Sequence, residues 1–280
     1  MGNANIEVRP VTPAIGAEIF GADIGQELGN QTYQELHDAL MKYQVLFFRD
    51  QELELDQHKE FGKRFGELAI HPASPGPEGH PEIVIVHADA KTNRNMGRIW
   101  QASHWHADVS CVEEPPMGSV LHMHTVPPCG GDTLFASMSA AYDALSDRMK
   151  AYLDGLTATH DGERVWRGRY RDQGIDDTSK TYPRAVHPVV RTHPITGRKG
   201  LFVNAVFTTQ INELPKNESE NVLEFLYKHC TQPAFQVRFQ WEPNSIAFWD
   251  NRCVQHLAVW DYFPQTRSGY RVTIEGDRPI

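Results

Sequence analysis

The chain has 280 residues, with 40% apolar and 22% charged side chains, enough apolar material to bury a sizeable core. The formal net charge is −9 and no lysine or arginine cluster stands out, so a nucleic-acid groove, which wants a basic stripe, is excluded. The four cysteines, Cys111, Cys129, Cys230 and Cys253, have no CxxC or zinc-ribbon spacing and read as free thiols of a reducing compartment.

The N-terminus lacks the positive and apolar regions of a signal peptide. MGNANI resembles a myristoylation start without the basic flank that assists such an anchor. No apolar run approaches the ~20 residues a membrane span needs, so a soluble, cytoplasmic protein is expected. IEVRPVTPAIGAEIFGADI reads as short strands and turns. NQTYQELHDALMKY, residues 30–43, carries a helical apolar stripe, QVLFFRD reads as a buried strand, and 56–68 as a second amphipathic helix. PEIVIVHAD, 81–89, is a strand. MGSVLHMHTV and TLFASM are strands joined by the turn PPCGGD.

Residues 139–156 form a predicted helix with Ser139 as N-cap and Gly155 near its end. The polar span 162–184 reads as a mobile excursion or lid. AVHPVVRTHP, KGLFVNAVF, FQVRFQWEP, SIAFWDN and GYRVTIEGD are further strands, with a helix at 217–230 among them. Strands and helices spread over the whole length, with no repeat and no linker, indicate one α+β domain over 1–280, built on a β-sandwich or jelly roll.

Two stretches carry chemistry. In SHWHADVSC an extended backbone would turn His106 and Asp108 to one face, and His104 falls on that face too. In IAFWDNRCVQHLAVWDY a strand ends at the turn pair Asp250-Asn251, and His256 follows in the next extended segment. Two imidazoles and one carboxylate on facing strands make a facial triad that leaves open positions on a ferrous ion. Near the end, TRSGYRVTIEGD places Arg267, Gly269, Arg271 and Thr273 on one face. Two inward guanidiniums are costly unless anions meet them, and their planar forks suit carboxylates and sulfonates.

In order along nearly the whole chain, FGKRFGEL, WHADVS, PPCGGDTLFASM, AAYDALS, HPVVRTHPITGRKGLFVN, FWDNRCVQHLAVWDY and TRSGYRVTIEGDRP resemble the TauD/TfdA family. Its members are Fe(II)- and 2-oxoglutarate-dependent oxygenases on a double-stranded β-helix, or jelly roll, flanked by helices. The resemblance implies His106, Asp108 and His256 as metal ligands, leaving His104 a supporting or pocket residue. It implies Thr133 and Arg267 at the distal carboxylate of 2-oxoglutarate, and His71, Arg271 and Phe207 at the primary substrate. Halogenases related to the family lack the carboxylate at Asp108, so hydroxylation is expected. O2 is consumed, 2-oxoglutarate becomes succinate and CO2, and a C–H bond of a small organic acid is oxidised. Ser74, and RIWQASHW with Trp100 and Trp105, depart from the taurine enzyme's pattern and point to a larger or more apolar acid. A sulfonate, a sulfate ester or an aryloxyalkanoate fits, recognised through 70–103 and 162–184. A homo-oligomer, dimer or tetramer, is implied too. The alternatives are a zinc hydrolase on the same three ligands and a non-catalytic acid-binding protein.

Overall fold

The computed structural model describes residues 5–71, 76–91, 104–168 and 176–280. The first half of the chain forms β1 (Glu7–Pro10), β2 (Ala17–Phe20), α1 (Asn30–Tyr43), β3 (Val45–Phe48), α2 (Leu55–Lys63), β4 (Ile83–Ala88), β5 (Gly118–Thr125) and β6 (Thr133–Ser137). Then come α3 (Met138–Asp143), α4 (Asp147–Leu153), β7 (Thr157–Asp161), α5 (Glu163–Trp166), β8 (Arg184–Pro188), β9 (Val190–Thr192), β10 (Lys199–Leu201) and β11 (Thr208–Ile211). The last elements are α6 (Lys216–Cys230), β12 (Gln236–Phe239), β13 (Ser245–Asp250), β14 (Val254–Ala258) and β15 (Arg267–Ile274).

A seven-stranded sheet in the order β1-β2-β3-β13-β5-β15-β4 faces a three-stranded sheet in the order β12-β6-β14. Alternation along the strands builds the interior between them. Val45 and Phe47 of β3, Leu121 and Met123 of β5, and Ala247 and Trp249 of β13 meet Phe135, Val237 and Phe239 of the smaller sheet. The intervening residues Leu46, Phe48, Val120, Ile246, Phe248 and Val272 pack on the outer face against Leu36 and Leu40 of α1 and Phe61 of α2. Both faces of the central strands are therefore dry, which is why VLFF shows no polar alternation. Each buried side chain of this size contributes roughly 1.5–3 kcal/mol. A third layer, α3, α4 and α6 with β9 and β10, covers the other side of the small sheet. This is the jelly-roll core with flanking helices that the sequence implied.

Most predicted elements are found, and the differences have local causes. The second helix stops at Lys63 rather than 68; Gly66 takes φ +155° and Leu68 bridges Ile274 instead. The helix expected over 139–156 is two helices. Its cap is Ser137, whose hydroxyl accepts from the Ala140 amide, and Ser146 starts a second helix by accepting from the Met149 amide. Ser139 is inside the first. The span 162–184 is not wholly irregular: Glu163–Trp166 is helical, with Val165 and Trp166 buried. Residues 1–4, 72–75, 92–103 and 169–175, hence the myristoylation-like start, Ser74, Trp100 and the middle of the expected lid, lie outside the described residues.

Because the Ser146 hydroxyl is exposed and satisfies one terminal amide, Ser146→Ala should cost about 1 kcal/mol in chemical denaturation. No effect would mean that α4 needs no cap of its own.

Candidate active site

His106 and His256 come from distant parts of the chain and are joined by their backbones. The His106 amide donates to the His256 carbonyl at 3.1 Å and the His256 amide to the His106 carbonyl at 2.8 Å. That isolated bridge sets the ring centroids 4.3 Å apart. His106 Nδ1 lies 2.9 Å from the His104 carbonyl oxygen, so His104 contributes its backbone to orienting the ligand ring. The segment is not the strand expected. After Asp108 the chain turns sharply, and Val109 takes φ +48°, a strained left-handed conformation for a β-branched residue. The turn, not an extended run, brings the carboxylate beside the imidazoles.

One ligand atom from each of His106, Asp108 and His256 lies within 4.8 Å of the other two. Asp108 is buried; Ser119 Oγ donates to Oδ2 at 2.8 Å and Arg271 Nη1 to Oδ1 at 2.7 Å. Burial alone would raise its pKa, but the Arg271 charge, the two histidines and the Ser119 bond outweigh it, and the carboxyl stays well below the usual range. Burial pushes His256 down to about 3, keeping its imidazole neutral with a lone pair to offer. Its Nδ1 is buried without a hydrogen-bond partner among the described residues. Two imidazoles and one ionised carboxylate, convergent and partly desolvated, fit a divalent metal that keeps other positions open.

Arg267, 3% exposed, lies beyond the triad on β15. Its Nε donates to the Gly131 carbonyl at 3.0 Å and Nη2 reaches Thr133 Oγ at 3.5 Å. Gly131 has φ +72°, the conformation that turns this carbonyl towards the guanidinium. Among the described residues no carboxylate pairs with Arg267, and burial lowers its pKa to about 10. Trp241 Nε1 also donates to Thr133 Oγ, at 3.0 Å, leaving the Thr133 proton for an acceptor. A buried, uncompensated cation beside a directed hydroxyl is a receptor for a carboxylate. Gly269 sits between the two arginines because a β-carbon there would collide with the His122 carbonyl of β5.

Of the expected substrate residues, Arg271 reaches the triad and His71 lines a cavity of about 210 Å³ with Ile70, Val109, Val112 and Thr273. Phe207 does not line it. It is buried behind Trp166, whose ring lies 5.7 Å from Phe207 and 5.8 Å from His71. Sequence reasoning missed Ser119, Trp241 and Trp166; only the inward phase of β5 pointed to Ser119. A second group, His193, Asp250 and Cys253, also clusters within 4.8 Å. Arg252 already fills it, donating to both Asp250 oxygens at 2.9 and 2.7 Å while His193 Nε2 lies 3.0 Å from Oδ2.

A jelly-roll core presenting two histidines, an aspartate and a buried arginine with no carboxylate partner among the described residues is what a mononuclear metal enzyme that recruits a carboxylate requires. The profile of the "Taurine catabolism dioxygenase TauD, TfdA family" matches residues 7–273, and the chain belongs to that family. It is 35% identical to the alpha-ketoglutarate-dependent sulfonate dioxygenase of Saccharomyces cerevisiae, over 98% of this chain and 68% of that one. It is 34% identical to the alpha-ketoglutarate-dependent sulfate ester dioxygenase of Pseudomonas putida, over 98% and 91%. The crystal structure of AAD-2 in complex with Mn(II) and N-oxalylglycine superposes with a TM-score of 0.80 at 29% identity, covering 98% of both chains. No helix among the described residues is long and apolar enough to cross a membrane.

Two buried histidines away from the triad make stability pH-dependent. His58 and His160 are pushed down to about 3 by burial, with a smaller contribution from neighbouring His122 and His187. The unfolded chain protonates them near 6.5, so their stabilisation is complete above that pH and is lost as the pH falls towards 3. Each should remove up to about 1.4 kcal/mol per pH unit in that window. Urea unfolding at about pH 7.5 and about pH 5 measures the loss; equal midpoints would contradict it.

Proposed function

We propose that this chain, a 2-oxoglutarate-dependent dioxygenase by family, hydroxylates a C–H bond of a small organic acid with Fe(II) held by His106, Asp108 and His256. The observation that carries the reading is the convergence of those three ligand atoms in front of a buried arginine that pairs with no carboxylate among the described residues. Fe(II), when bound, supplies the redox chemistry that couples O2 and decarboxylation of the keto acid to oxidation of the C–H bond. N-oxalylglycine has the skeleton of 2-oxoglutarate with one methylene replaced by NH. Its presence with Mn(II) in the AAD-2 complex supports a metal and a keto acid binding side by side.

The protein's own groups bind and position. Arg267 donates to the distal carboxylate of 2-oxoglutarate, and Thr133, already accepting from Trp241, adds its proton. His256 stays neutral and Asp108 stays ionised, so neither need lose a proton before a cation is held. Arg271 and His71 take the acid group of the substrate, fixing which carbon approaches the triad. Phe135 and Trp249 back the His256 ring at centroid distances of 6.2 and 4.8 Å and keep water from that side. The net change is substrate plus 2-oxoglutarate plus O2 giving hydroxylated substrate, succinate and CO2.

Sulfonates, sulfate esters and aryloxyalkanoates share a small anionic head and an oxidisable carbon. The yeast and Pseudomonas relatives act on the first two classes. A cavity walled by Ile70, Val109 and Val112 favours an acid larger or more apolar than taurine. A zinc hydrolase gives Arg267 nothing to do, and a non-catalytic acid-binding protein gives no reason for three convergent ligands.

Anaerobic addition of Fe(II) and 2-oxoglutarate should produce a weak visible charge-transfer band, absent in His106→Ala and Asp108→Ala. Folded wild-type protein without the band would refute the assignment. Arg267→Ala should raise the KM for 2-oxoglutarate on the order of 10–100-fold, the loss of one charge-assisted anchor. Arg271→Ala should instead weaken the primary substrate, read as substrate-stimulated succinate release across a panel of acids. A KM for 2-oxoglutarate that rises equally in both variants would contradict the separation of the two anion sites.

A further inference from the structure

The Asp250-Asn251 pair, read from sequence as a mere turn, sits directly behind the carboxylate of the triad. Asn251 Oδ1 accepts from the Trp249 indole N–H at 2.9 Å and from the Asp108 amide at 3.3 Å. Its Nδ2 donates to Ser119 Oγ at 3.1 Å, and Ser119 Oγ donates to Asp108 Oδ2 at 2.8 Å. All four residues are buried: Asp108 is 4% exposed, Asn251 3%, Trp249 1% and Ser119 0%. The bonds close a ring that begins at the backbone of Asp108 and returns to its side chain.

The direction of every bond in that ring is dictated. An indole N–H and a peptide N–H can only donate, so both require the oxygen end of the Asn251 amide on their side. The NH2 end is thereby aimed at Ser119 Oγ, which must accept. A hydroxyl has one proton, and with its acceptor side taken that proton goes to Asp108 Oδ2. Were the amide reversed, Ser119 would donate to Asn251, and Oδ2 would lose its partner. Trp249 thus selects the amide orientation, the amide orients the hydroxyl, and the hydroxyl occupies one carboxylate oxygen. Asn251 is itself seated, because its backbone N–H donates to the Met117 carbonyl at 2.9 Å and its neighbour Asp250 is locked by Arg252 and His193.

We infer that Asn251 is a positioning residue that, through Ser119, fixes the orientation of the Asp108 carboxylate beside the two imidazoles and holds it against the strained turn at Val109. The inference rests on the metal assignment proposed above. Ser119 holds Oδ2 at 2.8 Å and Arg271 Nη1 holds Oδ1 at 2.7 Å, so the plane of the carboxylate is set from both sides before a cation arrives. The amide bond to the Asp108 N–H restrains the residue immediately before the φ +48° turn, where the backbone would otherwise relax.

Co(II), a redox-stable probe, tests this without turnover. Titration of the apo-protein, followed by calorimetry and by visible d–d absorption, is compared for wild type, Asn251→Ala, Ser119→Ala and Trp249→Phe, with thermal melts of each apo-protein. Asn251→Ala should weaken Co(II) on the order of 10–100-fold and change the band intensity, the melting temperature holding near that of wild type. Ser119→Ala should weaken it less, and the double variant no more than Asn251→Ala alone, because both act on one path. Trp249→Phe, which removes the N–H together with the pyrrole half of the indole, should shift the spectrum in the same sense, its thermal melt reporting the cost of the lost packing. If Asn251→Ala does not fold, the two milder variants decide. Affinity within twofold of wild type and an unaltered spectrum in the folded variants would overturn the inference. Wild-type protein that binds no Co(II), or that binds it equally after His256→Ala, would instead sink the metal assignment and leave the relay without an object.

Discussion

The site depends on one pair of reciprocal backbone hydrogen bonds. The amides and carbonyls of His106 and His256 exchange both bonds, and this joins a non-strand segment to the edge of the smaller sheet. Side chains alone could not hold two imidazoles from such separate stretches in register, because each would carry its own rotameric freedom. A two-residue ladder removes that freedom at the cost of one short pairing. The remaining geometry follows: β14 is fixed to β6 with His256 opposite Phe135, and the chain must turn immediately after Asp108.

Around this pairing the protein buries charge in three ways that differ in compensation. Asp250 is met by Arg252 and His193 and is electrically complete, so it serves the turn that carries Asn251. Asp108 is met by Arg271 and Ser119 and is complete only while Arg271 has no other anion to serve. Arg267 has hydrogen bonds but no counter-charge among the described residues. A buried pair that is already neutral is structural scaffolding, and a buried charge without a partner is a demand for a ligand. The ordering from Asp250 to Arg267 is an ordering from architecture to binding.

The legible part of the sequence was the part governed by period. Asn30–Tyr43 follows its apolar stripe to the residue, and the alternation in TRSGYRVTIEGD placed Arg267, Arg271 and Thr273 on one face. Where one apolar pattern runs across two elements, periodicity fails. The stripe continues past Ser146, so two capped helices read as one. The HAD segment misled in the opposite sense, since alternation suggested a strand where a left-handed Val109 makes a turn. Ser119 left little trace because its place in the inward phase of β5 names no partner, and Asn251 because a residue in a turn carries no period. Their roles exist only once the chain has brought β5, β13 and the Asp108 turn together. The histidine choice between His104 and His106 likewise came from family resemblance; the structure places the His104 carbonyl against His106 Nδ1.

The different dowries of the two inward arginines have a consequence for how tightly each guest is kept. An anion arriving at Arg267 meets a guanidinium that has given up water and gained no carboxylate, so nearly all of the attraction is realised as affinity. An acid arriving at Arg271 must draw it away from Asp108, trading one carboxylate neighbour for another. Under the proposed assignment the keto acid is a tenant and the oxidisable acid a visitor, free to leave once altered.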